Sequence, residues 1–264
     1  MADDKRRVTS FRLSDSNIIK LEYRESLPST AALAREYARG GYPDRYVIFA
    51  ENQTNTAITG TKLAEGEYEH GVFISCILRP SFFPSQAGLL GPISAAALIA
   101  ALEEHTTKRL GIGWVSDIFC DGKKIGGVSI EGKLDSFSSY EYLIVNFAIR
   151  LDNANFPPRL TDMIRKVFES ENASVAMIIA KTILTRFFAA YTDIKTPGKM
   201  MDIYKERFIL TGKKIKYLEG GKKHSCRVVD VDRQTATLTV ATRKGELKKI
   251  TSPSGVLIPT KIKI

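Results

Sequence analysis

Cysteines could form disulfides, and cysteines and histidines could bind a transition metal such as zinc. The 264 residues contain three cysteines, at positions 76, 120 and 226, and three histidines, at positions 70, 105 and 224. No two cysteines form a Cys-x-x-Cys pair, and no His-Glu-x-x-His motif occurs. The spacing therefore predicts neither a disulfide framework nor a metal centre.

Lysine and arginine give the chain a basic excess that is confined to one end. The sequence has 39 Lys and Arg against 29 Asp and Glu, a formal net charge of +10. Residues 196–264 hold 16 of the basic and 6 of the acidic residues, so residues 1–195 are neutral overall. This boundary predicts two domains, 1–195 and 196–264. A basic module suits an acidic partner or a phosphate-bearing ligand, but no RNP or helix-turn-helix pattern indicates a specific nucleic acid.

The composition, 44% hydrophobic and 26% charged, is that of a globular protein. The most apolar stretch, 87–102, contains Gly91 and Pro92 and is shorter than the roughly 20 residues of a membrane span. No apolar signal-peptide segment follows the charged residues 1–7. We therefore expect a soluble, cytoplasmic protein that does not enter a membrane.

Hydrophobic periodicity and turn signals predict an α+β fold. Helices are expected at 29–39, where Ser29 and Thr30 can cap the first turn, and at 87–105 and 174–191. Because helices and strands do not alternate regularly, we expect a mainly antiparallel sheet with helices packed on one face. Asp121-Gly122 predicts a hairpin turn within 111–131. Further strands are expected at 46–50, 71–78 and 140–151 and, after a linker at 192–198, at 214–218, 225–230, 236–241 and 247–250. These last four fit a small β-barrel.

Several short segments match one family in order and at comparable spacing. The most specific is Gly113-Trp-Val-Ser-Asp-Ile118, followed by Asp121-Gly-Lys-Lys-Ile-Gly-Gly-Val128 and Glu131. The others are Leu27-Pro-Ser-Thr30, Ala50-Glu-Asn-Gln-Thr54 and Ser75-Cys-Ile-Leu-Arg-Pro80. Together they resemble the biotin protein ligases of the biotin/lipoate ligase superfamily. The resemblance implies a class II synthetase-like ligase core followed by an SH3-like barrel, in a form without an N-terminal DNA-binding domain.

The resemblance implies a two-step reaction. Biotin and ATP condense to biotinyl-AMP, and a lysine of the biotin carrier domain of a carboxylase then attacks that mixed anhydride. Magnesium is implied as the companion of ATP. The carrier domain is expected to be acidic and to be attracted by the basic module, and a homodimer is one assembly that the resemblance allows.

The resemblance also assigns two residues to catalysis. Lys124 matches the family lysine that neutralises the charge developing between the carboxylate and the α-phosphate, which only a fixed cation can do. Asp117 matches the aspartate that orients this lysine. A solvent-facing hairpin lysine is the structural alternative for Lys124, and Lys123 beside it fits that alternative better.

Other positions match the family's ligand-binding groups, each with a structural alternative. Ser29 and Thr30 match the pair that hydrogen-bonds the ureido head group of biotin, and Gln53 matches a further polar group of that pocket, because a bicyclic urea needs a few placed polar groups within apolar walls. Glycines allow a ligand to approach the backbone closely. Gly127 matches the position against the biotin ring, Arg79 could instead end a strand, and Trp114 could instead belong to the core. The substrate-binding candidates are Ser29, Thr30, Gln53, Arg79, Trp114, Gly126 and Gly127.

The nucleotide-binding segments depart most from the family pattern. The loop that is rich in glycine and arginine in the family here reads Asn55-Thr-Ala-Ile-Thr-Gly-Thr-Lys62, with one glycine and one cation. The strand that reads Gly-Ile-Gly-Ile-Asn in the family here reads Asn146-Phe-Ala-Ile-Arg150. Lys62 and Arg150 are therefore the candidates for contact with the nucleotide phosphates.

Two other functions fit the same residues. A catalytically silent homologue would bind biotin or a similar acid without dependence on ATP. An acyltransferase of the superfamily would take an acyl chain from a carrier, also without ATP, and would need a nucleophilic cysteine beside Lys124. Cys120 lies four residues before Lys124, although an inert, buried strand cysteine is the alternative for it.

Overall fold

A computed structural model describes most of the chain. The described residues are 6–14, 17–54, 69–82, 84–151, 174–252, 256–259 and 261–262. Over these ranges the chain forms an eight-stranded sheet, four α-helices and a second, five-stranded sheet. The predicted α+β class is confirmed.

The first sheet is mainly antiparallel, as predicted. Its strands are β1 (Arg7–Ser14), β2 (Asn17–Leu27), β3 (Tyr46–Gln53), β4 (Glu69–Leu78), β5 (Leu110–Gly113), β6 (Asp117–Cys120), β7 (Lys123–Leu134) and β8 (Tyr140–Arg150). Their order across the sheet is β1-β2-β3-β4-β8-β7-β6-β5. All neighbours are antiparallel except β2 and β3. That parallel pair needs a crossover, which helix α1 provides.

The helix signals in the sequence identify α1 and α3 closely. Helix α1 (Thr30–Arg39) begins after Ser29, whose side-chain oxygen accepts a hydrogen bond from the Ala32 N–H. Helix α3 (Val175–Thr192) begins after Ser174, which caps Met177 in the same way. Both helices therefore begin where a serine satisfies a free N–H group. The other helices are α2 (Leu90–Leu102), which follows a 3₁₀-helix at Pro84–Leu89, and α4 (Gly198–Arg207).

The helices cover both faces of the first sheet, so the expectation of helices on one face is wrong. Val47 and Phe49 of β3 belong to the core that includes α2 and α3. Ile48 and Ala50, which alternate with them, pack with Ala34 and Ala38 of α1 in a separate cluster. Successive strand residues point to opposite faces, and this sheet is apolar on both, so it needs a helix on each side.

Helix α3 is long and apolar enough to cross a membrane, and it is the one described helix of that kind. It packs against α2 and β4 instead, and its residues Ile179, Ile183 and Phe187 are fully buried. Such burial is that of a core helix. The cytoplasmic location stays a prediction.

The second sheet is antiparallel, with the strand order β12-β11-β10-β9-β13. Its strands are β9 (Lys214–Glu219), β10 (Lys222–Val231), β11 (Leu238–Thr242), β12 (Leu247–Ile250) and β13 (Val256–Leu257). Across the described residues, the end strands β12 and β13 do not pair with each other, so the closed barrel is not confirmed. Helix α4, which precedes this sheet, packs on α2 and on strand β5 of the first sheet. The division at 195/196 also stays a prediction.

A buried carboxylate anchors β2 beneath α1. Glu22 is fully buried, and its oxygens accept hydrogen bonds from Tyr46 Oη at 2.7 Å and Arg24 Nε at 2.9 Å. Burial alone would raise the pKa of Glu22, but these hydrogen bonds and the charges of Arg6 and Arg24 outweigh it and lower the pKa overall. Ionised Glu22 therefore stabilises the fold above its ordinary value of 4.5, and this contribution is lost as the pH falls through the lowered pKa.

We expect Tyr46→Phe to reduce the free energy of unfolding at pH 7 by about 1.5–3 kcal/mol, since it removes a hydrogen bond to a charged group. The deficit should shrink as the pH falls from 7 through the lowered pKa of Glu22, where the carboxylate becomes protonated. Urea unfolding over that pH range measures it. Tyr42→Phe is the control, because Tyr42 stacks in the same aromatic cluster and its hydroxyl has no hydrogen-bond partner among the described residues. A deficit that stays equal down to the pH at which the protein unfolds would contradict the assignment.

Candidate functional site

The predicted hairpin brings Asp117 and Lys124 together. Asp121 and Gly122 join β6 to β7 with φ values of 46° and 77°, the left-handed conformation that a two-residue hairpin turn requires. Lys124 Nζ lies 2.9 Å from Asp117 Oδ1, and the two side chains are 17% and 30% exposed. Partial shielding from water strengthens this ion pair relative to one on an open surface.

A register shift determines which lysine meets Asp117. Asp117 pairs with Gly127 and Ile118 with Gly126, but Phe119 pairs with Lys124, so one residue of β7 is extra. Asp117 and Phe119 share a face of the sheet, and Lys124 therefore joins them there. Lys123 pairs with Cys120 on the opposite face. Without the extra residue, Lys124 would point away from Asp117.

Two glycines keep β7 close to its neighbours. A side chain at Gly127 would lie 2.7 Å from Ser116 O and 3.3 Å from Asp117 Cα. A side chain at Gly126 would collide with the carbonyl oxygen of Ala148 in β8. The segment before β6 is held in turn by two hydrogen bonds, from Val128 N–H to Ser116 O at 3.0 Å and from Ser116 Oγ to Val128 O at 2.7 Å. The glycines thus set the position of Asp117.

A cleft of about 870 Å³ opens beside the ion pair. Asp117, Lys124 and Ser129 lie on its wall from the first sheet, together with Gly88 before α2 and Gly91 in the first turn of α2. The second sheet supplies the opposite wall through Thr235, Ala236, Thr251 and residues 256–258. The cavity has the size of a site for a small molecule or cofactor.

Trp114 joins the two walls of the cleft. Its side chain is 3% exposed, and its indole Nε1 donates a hydrogen bond to Ala236 O at 2.7 Å. It also lines the cavity. The two alternatives for this residue, cleft and core, therefore both describe its position.

The predicted head-group residues lie at the N-terminus of α1. The Thr30 N–H and hydroxyl both donate to Gln53 Oε1, at 2.9 and 3.2 Å, and both residues are buried. Ser29 caps the helix beside them. The sequence segments 27–30 and 50–54 are thus brought into contact, on the face of the sheet that α1 covers.

A row of polar side chains on that face was missed by the sequence analysis. Ser75 Oγ donates to Asn146 Oδ1 at 2.7 Å, and Asn146 Nδ2 donates to Ser129 Oγ at 3.4 Å. Ser75 and Asn146 are buried in the middle of the sheet, whereas Ser129 is exposed at the cleft. Strand pairing puts Ser129 two residues beyond Gly127 on the same face as Lys124. Polar residues inside otherwise apolar strands were the signal that could have revealed this row.

Three further residues were predicted to contact a ligand, namely Arg79, Arg150 and Lys62. Arg79 donates to three backbone carbonyls, those of Ala38, Tyr42 and Glu141, so its guanidinium closes the C-terminus of α1 and its ligand contact stays a prediction. Arg150 ends β8 opposite Gly71, two residues beyond Ala148, the partner of Gly127. Lys62 lies outside the described residues.

Cys120 does not lie on the same face of the sheet as Lys124. It is 2% exposed and pairs with Lys123, so it lies on the face opposite to the ion pair. This position favours the inert interpretation of Cys120. In the described part of the chain, no three His, Cys, Asp or Glu side chains come together as a metal site would require.

Sequence comparison finds relatives for part of the chain. No protein-family model matches it. The bifunctional ligase/repressor BirA of Bacillus subtilis is 25% identical over 181 residues, and that of Bacillus spizizenii is 23% identical over 180. Each match covers 67% of this chain and 55% of the relative. The chain therefore spans about half the length of the curated relatives it matches.

Solved structures match a larger share of this chain than the sequence relatives do. The biotin protein ligase from Aquifex aeolicus has TM-scores of 0.62 as the apo form and 0.61 in complex with biotin and ATP, at 19% and 18% identity. Each match covers 88% of this chain and 95% of that chain. The chain has the biotin protein ligase fold. A biotin protein ligase-like protein of unknown function from Silicibacter sp. TM1040 shares this fold, with a TM-score of 0.60 and 13% identity over 93% of this chain and 97% of its own. The resemblance inferred from short segments is thereby confirmed.

Within this biotin protein ligase fold, we expect Gly127→Ala to displace Asp117 and to reduce the free energy of unfolding by about 1–3 kcal/mol, as overpacking does. Gly198→Ala is the matched control, because a side chain there meets nothing within 4 Å and alanine is the better helix former. Urea unfolding of both variants tests the expectation. A Gly127→Ala variant as stable as the wild type would contradict the close approach.

Proposed function

We propose that the chain is an ATP-dependent biotin protein ligase, which forms biotinyl-AMP and transfers biotin to a carrier-domain lysine. The observation that carries the proposal is the Lys124–Asp117 pair, 2.9 Å apart on the wall of a cleft of about 870 Å³. The Aquifex aeolicus ligase with the same fold binds biotin and ATP in its solved complex, which supports these two substrates here.

In the first step, an oxygen of the biotin carboxylate attacks the α-phosphorus of ATP, and pyrophosphate leaves. Both reactants are anions, so a fixed cation must offset their repulsion as they approach. Lys124 supplies that charge from a strand rather than from a loop, and Asp117 restricts the conformations of its long side chain. With 17% of the Lys124 side chain exposed, its attraction for the anions is screened less than it would be in water.

In the second step, the neutral amine of the carrier lysine attacks the acyl carbon of biotinyl-AMP. The carbon–oxygen bond to the phosphate breaks, AMP leaves with the electron pair, and the amine loses a proton as the amide forms. Lys124 stabilises the negative charge on the departing phosphate. One cation thus serves both steps, because both change the charge on the same α-phosphate.

The acid lies across the face of the first sheet that α1 covers. Ser29, Thr30 and Gln53 bind the ureido head at the N-terminus of α1, and Gly127 lies against the ring. Ser129 contacts the part of the acid between the head and the carboxylate. Lys124 then meets the carboxylate where the sheet borders the cleft.

The nucleotide occupies the cleft next to Lys124, and Lys62 and Arg150 contact its phosphates in place of the arginines of the family loop. Of the described residues that line the cleft, Asp117 is the only carboxylate. One carboxylate fits magnesium, which is held largely by phosphate oxygens and water. Magnesium bound there would neutralise phosphate charge, and Asp117 would help to orient it.

We expect Lys124→Gln to abolish biotin-dependent exchange of pyrophosphate into ATP, with a loss of at least a hundredfold, because the variant keeps the side-chain size but removes the charge. Lys123→Gln is the matched control: the neighbouring lysine lies on the opposite face, and this variant should retain wild-type exchange. Both proteins are first shown to be folded by their unfolding curves.

The pattern of exchange separates the alternatives. Equal activity of the two variants would remove Lys124 from the mechanism. Biotin binding without exchange by the wild type would overturn the ligase proposal in favour of a silent biotin-binding homologue. Acyl transfer without ATP, trapped as an acyl-enzyme and lost in Cys120→Ser, would instead indicate the acyltransferase.

A further inference from the structure

One face of the second sheet concentrates positive charge. Lys214 of β9 pairs with Arg227 of β10, and strand pairing continues from Arg227 through Ala241 to Leu247 of β12. Paired residues point to the same side of a sheet. Residues two positions apart along a strand also point to the same side. This side therefore carries five exposed cations: Lys214, Lys216, Lys223, Arg227 and Lys249.

The acidic residues of this module offset only part of the positive charge on that face. Glu219 forms an ion pair with Lys248, and Asp202 forms one with Arg233. Asp230 itself lies on this side, because it pairs with Thr239 and Thr239 pairs with Lys249, but its carboxylate forms an ion pair with Lys205 of α4. Asp232 attracts Lys249 electrostatically, whereas Lys214 and Lys216 have no ion-pair partner among the described residues. The positive charge there is therefore free to attract an anionic partner over roughly a Debye length.

Exposed leucines lie among these cations. Leu218 pairs with Lys223, Leu257 with Lys216, and Leu247 with Ala241. They are 43%, 40% and 69% exposed. We call the five cations and three leucines the lysine–leucine face. Apolar side chains within a charged surface give a partner something to bury once attraction has brought it close.

We propose that the lysine–leucine face is the docking surface for an acidic protein domain, and specifically for the carrier domain that accepts biotin. This partner assignment rests on the proposed ligase function. Leu257 of this face also lines the cleft, and other residues of the same sheet complete that wall. A carrier held here is thus tethered near Lys124.

The composition of the face favours a protein over a nucleic acid. Single-stranded nucleic acids bind to positive grooves that also offer aromatic rings for base stacking. On this sheet, the aromatic ring of Tyr217 points to the other side and is 8% exposed. The exposed apolar groups on the lysine–leucine face are leucines, which suit contact with a protein surface.

The test measures association of the 264-residue chain with an isolated acidic biotin carrier domain by stopped-flow fluorescence. In the triple variant Lys214→Glu, Lys216→Glu, Arg227→Glu, the association rate should fall at least tenfold at low salt, and the difference should vanish at high salt. Leu247→Ser should instead raise the dissociation rate several-fold, because it removes apolar contact and leaves the charge unchanged.

The matched control reverses three other exposed lysines, Lys20, Lys195 and Lys199. It has the same net charge as the triple variant but an intact lysine–leucine face, and it should retain most of the association rate. Unfolding curves and biotin-dependent pyrophosphate exchange, which needs no carrier, show that the fold and the cleft of each variant are intact.

Several outcomes would overturn the docking proposal. These are wild-type association by the triple variant, an equal loss in the control, or tight binding of a single-stranded oligonucleotide to the face in place of the carrier. Its failure is distinguishable from that of the proposed function. Normal exchange with a carrier bound elsewhere removes only the docking surface, whereas carrier binding through this face without exchange removes only the ligase activity.

Discussion

The close backbone approach at Gly126 and Gly127 is the constraint on which the candidate site depends. On one side β7 lies against the carbonyl of Ala148 in β8, and on the other it lies against Ser116 and Asp117. With both neighbours that near, the extra residue in β7 turns Lys124 toward Asp117. A cation fixed in this way needs little rearrangement when an anion arrives, and such preorganisation is what electrostatic catalysis requires.

Local signals made the hairpin and two helices predictable. Asp121-Gly122 has a backbone conformation that few other dipeptides adopt easily, so it marked the turn between β6 and β7. Ser29 and Ser174 were readable as caps because their side chains replace a missing backbone acceptor. The resemblance of segment 113–131 to a family then identified Lys124 and Asp117. In each case the information lies within a few consecutive residues.

Features that depend on distant residues were not predictable. The extra residue in β7 is defined only by its pairing with β6, and the parallel pairing of β2 with β3 only by the crossover through α1. Strand β1 lies at the edge with most residues exposed, so it lacks the apolar alternation that marks a strand. Ser75 and Asn146 are 71 residues apart, and neither has a local partner that would have indicated their hydrogen bond.

Trp114 has a consequence for observing this molecule. It is the only tryptophan of the chain, and its indole N–H bonds to the backbone of Ala236 across the junction of the two sheets. Indole emission depends on the polarity around the ring and on its hydrogen bond. The intrinsic fluorescence of the protein is therefore a built-in optical reporter of a single junction, which needs no attached dye and registers any separation of the two sheets.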